Sequence, residues 1–247
     1  MKTIAFKTSF VLLFIFSCWT CHTAIAQKSQ TITFKANTVV ETALLTIKPG
    51  KEKQFAEDYF SQAIKFAPIY GARPIGSFAL VDRKLGNAPA QMLVFFEWES
   101  LEKKRAFEKD LGFLQIVNIR NEALSFLTTG YFKVEQDVSY TFTEGKTYEF
   151  AALWLDPTNA PQLQTYFEKV GPIAADPRVG FQPIAQLQSL GVEDRTYHPN
   201  LIFLSEWTQG VEGRDYALNR ADYKAVLPLR TAAAPYIDMF LVAPIIQ

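Results

Sequence analysis

Most of this chain is written twice. Leu93-Val-Phe-Phe-Glu-Trp98 answers to Ile202-Phe-Leu-Ser-Glu-Trp207, and Glu41, Ala43, Leu45 and Pro49 answer to Glu149, Ala151, Leu153 and Pro157. Pro68-Ile69 meets Pro172-Ile173, Arg105 meets Arg214, and Arg120-x-x-Ala123 meets Arg230-x-x-Ala233. A duplication on this scale constrains architecture more than any single motif, because each copy must build the same unit and bury the same face. The copies are assigned to residues 38–138 and 146–247, which makes two units of ordinary domain size.

Within copy one, Val39–Ile47 is β-branched and apolar and stops at Pro49-Gly50, a strand followed by a turn. Phe55, Tyr59, Ala63 and Phe66 then recur at helical spacing. Ile75–Val81 and Met92–Trp98 read as strands around the turn Gly86–Pro89. Ser100 is placed to cap the next helix, with Glu102 in its first turn. That helix is expected to run towards Leu127 with a break near Gly112, before a last strand at Tyr131–Glu135. Copy two repeats the order with strands at 147–155, 181–190, 201–207 and 236–243 and helices at 161–170 and 211–233. Each copy is β-α-β-β-α-β, a ferredoxin-like plait.

The segment ahead of the repeats is expected to be an export leader. Lys2 and Lys7 precede the apolar run Phe10–Phe16, and Ala24-Ile25-Ala26 offers small residues for cleavage before Gln27. The alternative is lipoprotein processing at Cys18, after Ile15-Phe-Ser. Both routes export the protein to the periplasm or beyond, with no transmembrane span left in the mature chain. Residues 27–37 are polar and read as a mobile arm.

Cleavage before Gln27 removes Cys18, Cys21 and His22, so His198 is the one histidine left and no thiol remains. Cysteine nucleophiles, thiolate metal sites and histidine-cluster metal sites are thereby excluded, and no metal or cofactor motif remains. The full chain carries 25 basic and 25 acidic residues; losing Lys2 and Lys7 leaves it slightly acidic, with no general attraction to nucleic acid. Gly71-Ala-Arg-Pro-Ile-Gly76-Ser77 has the glycine spacing of a phosphate loop but lacks its lysine. The plait order is also that of RNA-recognition domains, yet Met92–Trp98 lacks their stacking signature.

Both alternating residue sets of the strands at 92–98 and 201–207 are apolar, so each sheet must be covered on both faces. Helices cover one face, and the sheet of the other copy is the simplest cover for the second. The expected fold is therefore α+β: two tandem ferredoxin-like plaits packed sheet to sheet as a pseudo-dimeric α/β barrel, monomeric as a chain. This pattern, with strand-ending Glu-Trp and a helix ending in Arg-x-x-Ala, resembles the dimeric α/β barrel superfamily. Ile47-Lys-Pro-Gly50 followed by Phe96-Glu-Trp-Glu-Ser100 is similar to NIPSNAP-type domains, whereas Leu204–Trp207 and Asp222-Tyr-Lys224 are closer to small uncharacterised single-plait families. The resemblance covers about residues 38–244 and implies a fold and a pocket. It does not imply a reaction, since the superfamily includes monooxygenases, isomerases, haem-dependent peroxidases and proteins without assigned roles.

Candidate chemistry sits on the repeated polar residues. Glu41 and Glu97 on strands with Arg120 on a helix, matched by Glu149, Glu206 and Arg230, are either structural Glu–Arg pairs tying helix to sheet or, with Glu97 or Glu206 as base and Arg120 or Arg230 stabilising the anion, a site in a desolvated pocket. Trp98, Trp154 and Trp207 are core residues or the lining of an apolar cavity between the two sheets. His198 is a solvated loop residue or a proton shuttle; a haem-binding relative would carry its histidine on a helix or strand beside the cavity. Two functions follow: an exported protein binding a small apolar molecule between its plaits, or, alternatively, a cofactor-independent monooxygenase or isomerase with a Glu/Arg site.

Overall fold

The computed structural model describes residues 27–192 and 195–246. The expected leader, with Cys18, Cys21 and His22, lies outside them. Copy one contributes β2 (Val39–Ile47), a π-helical turn at Gln54–Phe60 running into α1 (Ser61–Phe66) and a 3-10 turn at Ala67–Tyr70, then β3 (Ala72–Leu85) and β4 (Met92–Trp98). It ends with α2 (Leu101–Glu108), α3 (Leu111–Ala123) and β5 (Leu124–Lys133). Copy two supplies β7 (Thr147–Trp154), α4 (Pro161–Ala174), β8 (Phe181–Ser189), β9 (Leu201–Trp207), α5 (Gly210–Asn219), α6 (Ala221–Ala233) and β10 (Tyr236–Pro244). Two further strands, β1 (Ser29–Phe34) and β6 (Val138–Thr143), stand outside the repeat.

Each copy forms the four-stranded sheet of a plait, β3-β4-β2-β5 and β8-β9-β7-β10, and the two sheets join at their edges into one closed antiparallel barrel. The seams differ. β10 pairs with β3 from Met239↔Leu85 to Pro244↔Phe78 across two bulges, whereas β5 meets β8 only at Phe132↔Ser189 and Lys133↔Gln188. Closure satisfies the edge groups that two separate sheets would leave open. The α/β barrel expected from the two-faced apolar strands is thus the observed fold.

Parity along the strands divides the core. Leu93 and Phe95 point into the barrel with Leu44, Phe78, Phe150 and Leu204, all essentially without solvent exposure. The opposite set, including Val94 and Trp98, meets the helices. Ser100 does cap α2, accepting from the Lys103 N–H, and Asp110 caps α3 by accepting from the Phe113 N–H. The helix break therefore falls at Lys109–Asp110, just before the expected Gly112. α3 also ends earlier than expected, at Ala123, because Leu124–Phe132 pairs along β2 instead of extending the helix.

The arm expected to be mobile contains a strand. β1 pairs with β6 from Ser29↔Thr143 to Phe34↔Val138, and the ribbon closes one mouth of the barrel. Thr31 and Thr33 bond across it to Thr141 and Ser139 on the wet side. Ile32, Phe34 and Phe142 enter the core on the other, with Phe34 edge-on to Phe95 at 5.4 Å and Phe142 edge-on to Phe78 at 5.0 Å. The physical signal was the strict alternation Thr31-Ile32-Thr33-Phe34, a half-buried strand hidden in a polar composition. Gly76 makes room for it, since a Cβ there would lie 2.2 Å from Ile32 Cδ1.

Candidate functional site

Aromatic side chains and the β1–β6 ribbon pack into the barrel interior, where the binding space was expected. Between the sheets an open depression of about 430 Å³ remains at the far mouth, where Trp154 lies edge-to-face with Tyr197 at 5.2 Å and Tyr236 at 4.9 Å. Two deeper, partly open cavities lie on the outer faces of the sheets, beneath the helices. They are two versions of one site, produced by the duplication.

In copy one the outer face of β2 presents Glu41, which is buried. It accepts from Trp98 Nε1 at 2.8 Å and pairs with Lys104 Nζ at 3.1 Å. Lys104 Nζ also sits over the Trp98 ring at 4.6 Å, and Phe107 packs against Trp98 and Phe113, with ring centroids 5.1 and 4.3 Å apart. Arg120 lies over Tyr59 and Phe113 and donates through Nε and Nη2 to Asn121 Oδ1 at 3.2 and 3.1 Å. Little space is left, about 80 Å³.

In copy two the same place holds a cavity of about 380 Å³, lined by Leu163, Val170, Ile173, Phe203, Trp207 and Arg230 among others. Two substitutions between the copies account for the difference. The counterpart of Lys104 is Gly213, where the backbone passes so close to the 178–179 segment that a Cβ would lie 2.5 Å from the Val179 carbonyl oxygen. The counterpart of Phe107 is Tyr216, whose ring stacks under Arg178 at 4.7 Å and Arg220 at 5.8 Å, and which is absent from the cavity wall. Asp176 anchors those arginines, accepting from both.

Polar groups converge on this apolar space. Glu149 accepts from Arg214 Nε at 2.7 Å, so the cation that holds the strand carboxylate sits one position later than Lys104 does in copy one. Burial pushes the Glu149 carboxyl above the ordinary carboxylate range; Arg214 opposes this most strongly, with smaller contributions from Trp207 and Arg230. Tyr166 and Tyr223 place their hydroxyls 3.3 Å apart, and burial, then Tyr223 beside it, raises the Tyr166 hydroxyl, opposed by a hydrogen bond from Arg230. Trp207 Nε1 and Arg230 Nε are both buried without a hydrogen-bond partner.

The residues singled out from sequence are not assembled as expected. Glu97 lies inside the barrel mouth with Arg73 Nε at 3.0 Å and Lys35 Nζ at 3.9 Å, away from Arg120. Glu206 is held by Lys146 Nζ at 3.0 Å and by the Tyr140 hydroxyl, not by Arg230. Strand parity explains this: Glu97 and Glu206 point inward with Phe95 and Leu204, whereas both arginines lie under the helices on the outer face. Trp98 and Trp207 line the two outer cavities, and Trp154 the barrel mouth. His198 is exposed in the loop before β9 and lines none of these spaces, so the residues here do not fit a histidine-ligated haem. Glu41 and Glu149, candidates from their repetition, do lie in the outer cavities, whereas Arg214 and Tyr166 were not singled out as site residues. No cluster of potential metal ligands occurs among the described residues.

No protein-family model and no curated protein matches the chain. Among solved structures it is similar to an anthrone oxidase-like protein, with 14% identity over 87% of this chain and 94% of the other and a TM-score of 0.52. It is also similar to chlorite dismutase from Candidatus Nitrospira defluvii in complex with imidazole (10% identity, 84% and 91% covered, TM-score 0.49). A proposed monooxygenase from Lactobacillus acidophilus NCFM matches with 11% identity over 85% and 99% of the two chains, at a TM-score of 0.43. At such identities the likeness is one of fold: this chain has the dimeric α/β barrel architecture, with both halves in one polypeptide.

Proposed function

We propose that this is an exported binding protein whose second plait holds a small, mainly apolar molecule between α4–α6 and the outer face of β7 and β9. The carrying observation is the asymmetry of the duplicated site, about 380 Å³ in copy two against about 80 Å³ in copy one. An apolar cleft of this size with a few convergent polar groups is the usual form of a small-molecule site. The barrel closes within one chain, which supports a monomer. The finer affinity to NIPSNAP-type domains rests on Ile47–Gly50 and Phe96–Ser100 alone.

Native mass spectrometry of the protein purified from its own envelope, with extraction of any bound compound, tests the reading. The expected result is a co-purifying small molecule that is lost in Ala174→Trp, which fills the cavity from the end of α4. A ligand retained at full occupancy by a folded Ala174→Trp protein would place it elsewhere.

The alternative, a cofactor-independent monooxygenase or isomerase, draws on one observation, the elevated Glu149 carboxyl in the cavity wall. Against it, Glu149 is already closed by Arg214 at 2.7 Å, the arrangement of a structural pair. Turnover of a ring lactone, quinone or phenol that disappears in Glu149→Gln would establish catalysis over simple binding.

A further inference from the structure

The cavity wall is chemically one-sided. Glu149 is matched by Arg214, which leaves Arg230 as a second cation bordering the same space. Its counterpart Arg120 has its Nε satisfied, donating through Nε and Nη2 to Asn121 and covering the faces of Tyr59 and Phe113. Copy two keeps a tyrosine partner, Tyr166, beside the guanidinium, but has changed the other two supports. Thr231 stands where Asn121 does and has no amide oxygen to offer, and Tyr223 stands where Phe113 does and turns its hydroxyl to Tyr166. Arg230 Nε is consequently buried with no acceptor.

The same divergence loosens a second donor. Trp98 Nε1 gives its proton to Glu41, but in copy two Arg214 draws the carboxylate to itself, and the buried Trp207 Nε1 keeps only a loose approach to Glu149 that falls short of a full hydrogen bond. Two buried N–H donors without a well-formed bond in one apolar wall, one of them on a guanidinium, are costly in an empty site and call for an acceptor. Both would be met by an oxygen-bearing anion, and a planar guanidinium edge matches a carboxylate best.

We infer that the ligand of the second plait is an amphiphilic carboxylate, with its carboxylate on Arg230, an oxygen within reach of the Trp207 N–H, and its apolar body along Leu163, Val170, Ile173 and Phe203. The inference rests on the binding reading above and fixes the chemical class of what is bound. The guanidinium sets the sign of the head group, and the apolar lining sets the rest of the molecule.

Isothermal titration of the mature protein with octanoate, 1-octanol and octylamine separates the possibilities. Octanoate is expected to bind at least about ten-fold more tightly than octanol, as a charge-assisted hydrogen bond in a desolvated wall requires. Octylamine is expected to bind most weakly. Arg230→Met should abolish the octanoate preference while leaving octanol binding in place. If that variant does not fold, Trp207→Phe, which keeps the ring and removes the donor, should weaken octanoate and not octanol. Equal binding of octanoate and octanol, or a preference for octylamine, would overturn the carboxylate while leaving an apolar site. A preference that survives Arg230→Met would overturn Arg230 as the anchor. No binding of any of the three would overturn the apolar binding site itself, and the inference with it.

Discussion

At the scale of single residues, the two copies use one device with different parts. A carboxylate on the outer face of the first strand of each plait, Glu41 or Glu149, is held by a cation from the helix that follows its Trp-ending strand. Both partners of Glu149–Arg214 are buried, so removing one leaves a charge without compensation. Glu149→Ala is expected to cost about 3 kcal/mol in urea unfolding, and Glu149→Gln less, because the amide oxygen still accepts from Arg214. The pH dependence has a definite sign. The folded-state carboxyl lies above its ordinary value of 4.5, so the native state binds the proton more tightly than the unfolded chain. Its contribution is fully present below the unfolded value and is lost as pH rises through the raised folded one. The stability difference between wild type and Glu149→Gln should therefore fall across that window, and a flat difference would mean Glu149 is not perturbed.

At the scale of elements, the β1–β6 ribbon is a part that neither plait supplies. It brings Phe34 and Phe142 into the barrel core, Lys35 to Glu97 and Tyr140 to Glu206, so one mouth is closed by packing and by charge together. Phe34→Ala is expected to destabilise the protein by about 3–5 kcal/mol, the usual cost of emptying a large buried aromatic site. Amide exchange in β1 should then rise to the level of a frayed terminus while the outer strands stay protected. An effect below 1 kcal/mol would mean that the ribbon only rests on the barrel. The elements of copy two also decide the cavity, since the close approach of α5 to the 178–179 segment requires Gly213 and thereby keeps a side chain out.

At the scale of the molecule, edge-to-edge closure makes each sheet depend on the other, and the thermal transition is expected to be single, with calorimetric and van't Hoff enthalpies equal. Two resolved transitions would show the halves to be independent. The two-faced apolar pattern of β4 and β9 and the duplication were enough to specify the plaits and their closure into a barrel, because burial on both faces is a property of a strand's own residues. Glu41 and Glu149 could be seen to repeat, and the alternation in 31–34 was present in the letters, though its polar composition concealed it. Period-two parity puts Glu97 and Glu206 on one face and cannot name that face, so their separation from Arg120 and Arg230 was invisible. Only the packed structure decided that aromatic side chains crowd the barrel interior, that Tyr216 stacks outward on arginines where Phe107 packs inward, and that the larger of the two duplicated cavities lies under the helices of copy two. Sequence determines which surfaces must be buried; which groups then meet, and where a void is left, depends on side-chain packing between segments far apart in the chain.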